Sequence, residues 1–81
     1  MIPDIINDLS TYITNQIMKQ PGKVINPDEK IISSGLIDSF HLVDISIFVE
    51  EKYGVLIDDT ELNADTFDTL NELAEIIIQR N

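Results

Sequence analysis

Gly35-Leu36-Ile37-Asp38-Ser39-Phe40 is the stretch on which the reading of this chain turns. A loop ends there and a long helix begins. Asp38 and Ser39 both favour a helix start, because their oxygens accept from backbone N–H groups that have no partner in the first turn. After them, apolar residues recur at helical spacing as far as Tyr53, and Gly54 supplies a stop. A serine at such a junction sits on rigid structure, close to free N–H groups and the positive end of the helix dipole. That place favours a phosphate, so Ser39 is the chain's candidate for carrying a phosphodiester.

The helix that follows is apolar on two sides. Leu42, Ile45, Ser46, Val49 and Tyr53 fall at i, i+3, i+4, i+7 and i+11 and form the expected core face. Phe40, Val43 and Ile47 form a second stripe, with Asp44, Glu50 and Glu51 beside it. Acids are rarely buried without partners, so this second stripe is expected at the surface, available for docking. Ile47 and Phe48 have an equally weighted alternative, packing on the preceding loop.

Outward from this helix the pattern stays helical. Ile2, Ile5, Ile6, Leu9, Tyr12, Ile13, Ile17 and Met18 describe one face of a first helix, with Pro3 in its first turn and Pro21-Gly22 at its end. Residues 20–38 are a long connection, with a single turn expected at Asn26-Pro27-Asp28-Glu29 and with Ile31, Ile32, Leu36 and Ile37 anchoring it to the core. Asp58-Asp59-Thr60-Glu61 and Asn63–Phe67 suggest one or two short turns after an apolar anchor at 55–57. Thr69-Leu70-Asn71-Glu72 matches a capping box opening a last helix, which closes with Arg80 near the negative end of its dipole. The plan is all-α, with three main helices and short turns in one domain spanning residues 1–81.

Fifteen acidic residues stand against five basic ones, a net charge of −10, and residues 38–81 hold eleven of the acids and only two of the basic side chains. That field repels nucleic acid and steers basic protein surfaces. With no cysteine, disulfides, thiolate metal sites and cysteine nucleophiles are excluded, and any thiol chemistry needs an attached group. The N-terminal residues lack a basic segment followed by an apolar run, and no run approaches the ~20 residues of a membrane span. The expectation is a soluble cytoplasmic monomer.

The single histidine, His41, lies two residues after Ser39, so on a helix the two point to different sides and make a poor catalytic pair. The acidic run from Asp58 to Asp68 lacks the glycine and oxygen spacing of a calcium loop and reads as solvated caps. No metal site is expected. Of the five serines, Ser39 alone combines a helix start, an adjacent acid and a long anchored approach.

Over nearly its whole length the chain resembles acyl carrier proteins. The likeness rests on Gly35-Leu36-Ile37-Asp38-Ser39-Phe40, the acidic helix from Leu42 to Tyr53 with Glu50-Glu51, and the last helix opening Phe67-Asp68-Thr69-Leu70. The resemblance implies a four-helix bundle with a short third helix, and 4′-phosphopantetheine on Ser39, transferred from coenzyme A by a phosphopantetheinyl transferase. Asp38 matches the acid beside the modified serine. Such a carrier performs no catalysis; it presents thioester-bound intermediates to a loading ligase and to downstream transferase or synthase enzymes with basic surfaces. Phe40 and His41 stand where members serving general fatty acid synthesis have leucine and an acid, which points to a specialised carrier in a fatty acid, polyketide, peptide-type or aminoacyl pathway. Little room for an acyl chain is expected between the helices, because Tyr53 and the isoleucines occupy it. The alternative is an unmodified acidic helical module that only binds a partner.

Overall fold

The computed structural model describes residues 2–20, 22 and 25–81, which form three α-helices: α1 Ile2–Tyr12, α2 Ser39–Tyr53 and α3 Leu70–Arg80. A π-helical turn, Ile13–Ile17, continues α1, and a 3-10 turn, Asp59–Glu61, lies between α2 and α3. Among the described residues there is no strand, so the all-α plan is the one adopted. The short third helix of the expected bundle is the single 3-10 turn. Pro21, expected to end the first helix, lies outside the described residues.

The core is built from helical periodicity, and most of its members are aliphatic. Ile5, Leu9 and Ile13 point inward from α1 and its extension, Leu42, Ile45 and Val49 from α2, and Leu70, Leu73, Ala74 and Ile77 from α3. The long connection contributes as much as a helix: Ile25, Ile31 and Ile37 are buried, with Ile32 and Leu36 packed at the margin. Ile25 was not among the expected anchors. Phe67 is the largest fully buried side chain.

Three details depart from the periodic reading. The first helix widens at Ile13, where the Met18 N–H donates to the Ile13 carbonyl at 2.8 Å, a five-residue step. The Thr14 hydroxyl donates back to the Ser10 carbonyl at 2.9 Å, and the wider turn buries Ile13 and Thr14 together. Lys19 then ends the segment in the left-handed region at φ 54°. On α2, Ser46 and Tyr53 sit at the edge of the core face, half-buried rather than inside. Ser46 satisfies its hydroxyl on the Val43 carbonyl at 2.7 Å, one turn back as polar burial requires. The Tyr53 hydroxyl donates to Asp8 Oδ2 at 2.9 Å, which holds its tip at the surface. Burial, then the bond to Asp8, raise the Tyr53 phenol well above its ordinary value.

The helix ends follow sequence chemistry. Gly54 takes φ 70° at the C-terminus of α2, donating to the Glu50 carbonyl at 2.9 Å. Thr69 caps α3 by accepting from the Glu72 N–H at 3.1 Å, while the Glu72 carboxylate reaches one residue further back, to the Asp68 N–H at 2.9 Å. Arg80 does more than face the dipole. Its guanidinium pairs with the Glu61 carboxylate and donates to the Leu56 carbonyl at 3.1 Å, tying the 3-10 turn to the last turn of α3.

Phe67→Ala is expected to lower stability by about 3–5 kcal/mol, the usual cost of truncating a buried ring, measurable by urea denaturation. The Glu61–Arg80 pair makes stability pH-dependent. Its hydrogen bond with Arg80 lowers the Glu61 carboxyl from 4.5 to about 2. A depressed carboxyl stabilises the fold above its unfolded pKa and loses that contribution as pH falls through the folded one. Arg80→Gln should therefore be less stable than wild type at neutral pH, with the difference shrinking between pH 4.5 and about 2 and gone below it.

Candidate functional site at the start of α2

Asp38 and Ser39 divide the roles that both could have taken. Asp38 is the cap: its backbone is extended at φ −90°, ψ 176°, and Oδ1 accepts from the His41 N–H at 2.9 Å. Ser39 is the first helical residue and is exposed. The other four serine hydroxyls are engaged, Ser10 accepting from the Ile25 N–H, Ser33 donating to Asp68, Ser34 to the Lys30 carbonyl and Ser46 to the Val43 carbonyl. The Ser39 hydroxyl alone has no hydrogen bond among the described residues. A nucleophilic oxygen is thus presented to solvent at a helix N-terminus whose cap is already supplied by its neighbour. His41 Nδ1 lies 3.2 Å from Asp38 Oδ1, so the imidazole is turned to the cap and not to Ser39.

The approach to Ser39 is held by a residue that the sequence places among the solvated caps. Asp68 is buried, 7 % exposed, and its carboxylate is the latch for the connection. Oδ1 accepts from the Ile32 N–H at 2.8 Å and the Ser33 N–H at 2.9 Å, and Oδ2 from the Ser33 hydroxyl at 2.5 Å. The Asp68 carbonyl accepts from the Ile31 N–H at 2.7 Å, and the Ile31 carbonyl from the Ile37 N–H at 2.9 Å. Donation from the Ser33 hydroxyl, then its N–H, lowers the Asp68 carboxyl below its ordinary value, against the opposing effect of burial. The expectation of solvation fails here because Asp68 falls between two core residues, Phe67 and Leu70, with backbone donors facing it. That placement between apolar neighbours is the one sequence signal that could have found it.

Phe40 is 82 % exposed, and Val43 and Ile47 are 43 % and 48 % exposed. Asp44, Glu50 and Glu51 are exposed beside them, so one face of α2 combines three apolar side chains with three acids. Ile47 is exposed, and Phe48 is stacked on Tyr12 with centroids 4.3 Å apart. A surface recess of about 360 Å³ opens beside that stack, on the α1 side of α2. No helix among the described residues is long and apolar enough to cross a membrane.

Comparison with known proteins supports a carrier-protein family. The chain is 38 % identical over 50 residues to the D-alanyl carrier protein of Bacillus pumilus, a match covering 62 % of this chain and 64 % of that protein. It is 29 % identical over 77 residues to the D-alanyl carrier protein of Bacillus subtilis, covering 90 % and 92 %, and 35 % identical over 48 residues to that of Bacillus velezensis, covering 59 % and 62 %. The first and third matches span less than two thirds of the relatives they match. These relatives are named as carriers and not as enzymes. No family model and no solved structure matches the chain.

Asp68→Asn keeps the side-chain volume but removes the charge and one acceptor. Amide hydrogen exchange at Ile32 and Ser33 is expected to accelerate at least about tenfold, the equivalent of a lost charge-assisted hydrogen bond, while the amide of Ile45 stays protected.

Proposed function

We propose that this chain is an aminoacyl carrier protein that bears 4′-phosphopantetheine on Ser39. The observation that carries the reading is the unengaged, exposed hydroxyl of Ser39 at the start of α2, distinct from every other serine hydroxyl of the chain. Ser39 Oγ would be the atom that takes the phosphopantetheine, forming an Oγ–P bond at the β-phosphorus of coenzyme A as the pyrophosphate P–O bond breaks and adenosine 3′,5′-bisphosphate leaves, with the hydroxyl proton passing to a base of the transferase. The residues present fit the group. The Ser39 oxygen is accessible, the first-turn N–H groups of α2 favour a phosphodiester, and Asp38 keeps the helix capped whether or not Ser39 is substituted. When bound, the group supplies the thiol that the cysteine-free chain lacks, on which a carboxylic acid is held as a thioester.

The names of the relatives make D-alanine the proposed cargo. A small polar cargo also suits this chain, since the inward-facing side chains Leu42, Ile45 and Val49 of α2 and Ile77 of α3 are all buried in the core. A phosphopantetheinyl transferase, an aminoacyl-loading ligase and a downstream transferase are the implied partners. Phe40, Val43 and Ile47 would supply the apolar contact, with Asp44, Glu50 and Glu51 steering basic surfaces. Covalent attachment would raise the effective concentration of the cargo at each partner.

Incubation with a phosphopantetheinyl transferase and coenzyme A should add the mass of one phosphopantetheine to the wild type and nothing to Ser39→Ala. Because Asp38 and not Ser39 is the cap, the variant should keep the stability of the wild type within about 0.5 kcal/mol, as for an exposed site. Modification of Ser39→Ala would overturn the assignment, and an unmodified wild type would leave the acidic interaction module as the better reading.

A further inference from the structure

Two rings and a carboxylate form a seat on the α1 side of α2. Tyr12 and Phe48 stack at 4.3 Å with their planes 21° apart. Asp8 closes the seat; its Oδ2 accepts the Tyr53 hydroxyl at 2.9 Å, and its Oδ1 has no hydrogen bond among the described residues. Thr11 and Gln16 edge the recess above them. A cation of the chain itself already occupies this place. Lys52 Nζ lies 6.0 Å from the Phe48 centroid and 3.8 Å from Asp8 Oδ2. Both distances are at the outer limit of attraction, and the lysine side chain is 46 % exposed, so it is loosely held.

The surroundings prefer a positive charge. Aromatic faces carry negative potential, Asp8 is beside them, and Asp44 and Glu51 raise the Tyr12 phenol through their field, after burial. A guanidinium suits such a seat better than an ammonium, because it is flat, weakly hydrated, and able to stack on a ring while pairing in its plane with a carboxylate. Tyr12 also reaches towards α2 on its other side, its hydroxyl donating to the Asp44 carbonyl at 3.5 Å.

We propose that the recess bounded by Asp8, Tyr12 and Phe48 receives an arginine side chain of a basic protein partner, which enters by displacing Lys52. Charge complementarity selects this occupant: the chain carries a net −10, and one of the two basic side chains after residue 37 is the one parked here. Lys52 acts as an internal competitor, so that only a better cation takes the seat. The inference stands on the recess alone and does not require Ser39 to carry anything.

The test is an NMR titration of the full unmodified chain at low salt with acetyl-Gly-Arg-Gly-amide, with its lysine counterpart, and with its uncharged citrulline counterpart. The arginine peptide should shift the ring resonances of Tyr12 and Phe48 and bind at least about threefold more tightly than the lysine peptide. Lys52→Gln should tighten binding severalfold, and Asp8→Asn should abolish it with an unchanged circular dichroism spectrum. If Asp8→Asn does not fold, Phe48→Leu removes the ring while keeping an apolar side chain, and binding should fall there too. Equal shifts from the arginine and citrulline peptides, shifts confined to Glu50 and Glu51, or undiminished binding by Asp8→Asn or Phe48→Leu would overturn the proposal. Lys52→Gln binding no more tightly than wild type would overturn the displacement.

Discussion

The carboxylate of Asp68 is the interaction on which the architecture around Ser39 depends. A connection without a regular helix has backbone donors that must be satisfied, and it can be buried only if something satisfies them. Asp68 takes those of Ile32 and Ser33 with its side chain and that of Ile31 with its main chain. Its own N–H is taken in turn by Glu72. One residue at the entrance to α3 therefore lets Ile31 and Ile37 enter the core and delivers the chain to Asp38 in an extended conformation, ready to cap α2. Thr69, next along the chain, caps α3, so the start of one helix and the approach to the other are built at the same place.

With that anchor set, α2 can serve two environments. Leu42, Ile45 and Val49 are buried while Phe40, Val43 and Ile47 are exposed. Fully burying a side chain of this size is worth about 1.5–3 kcal/mol, and on the outer face of α2 much of that gain is unrealised in the free chain. The acids beside it cost little in the free protein, where they are solvated, and contribute to encounter with a basic surface. The proposed carrier role uses this division: a stable inner face keeps Ser39 in place, and an unsatisfied outer face is offered to successive enzymes.

The far end of the domain is tied by a different device. Arg80 closes the 3-10 turn onto α3 through Glu61 and the Leu56 carbonyl, and Tyr53 and Lys52 link the end of α2 to Asp8 on α1. These polar contacts lie at or near the surface: Glu61–Arg80 joins the 3-10 turn to α3, Tyr53–Asp8 joins α2 to α1, and Lys52 adds only a loose contact at 3.8 Å.

The sequence by itself determined the three α-helices and the caps of α2 and α3, and it singled out Ser39 as the candidate serine. Spacing of three and four residues gathers apolar side chains on one face of a helix, and Asp38, Gly54 and Thr69 have local chemistry that begins or ends a helix. The unpartnered outer stripe of α2 was legible for the same reason, since acids interleaved with apolar residues resist burial. Tertiary structure alone decided which acid would be buried. Asp68 looks like any capping residue until the connection folds back across it, and its partners lie 35 and 36 residues away. The edge positions of Ser46 and Tyr53, the widened turn at Ile13, and the meeting of Asp8, Tyr12, Phe48 and Lys52 were decided in the same way. Periodicity places a residue on a face of its own helix, but only the packing of a second helix shows how much of that face is covered and which polar group stands opposite.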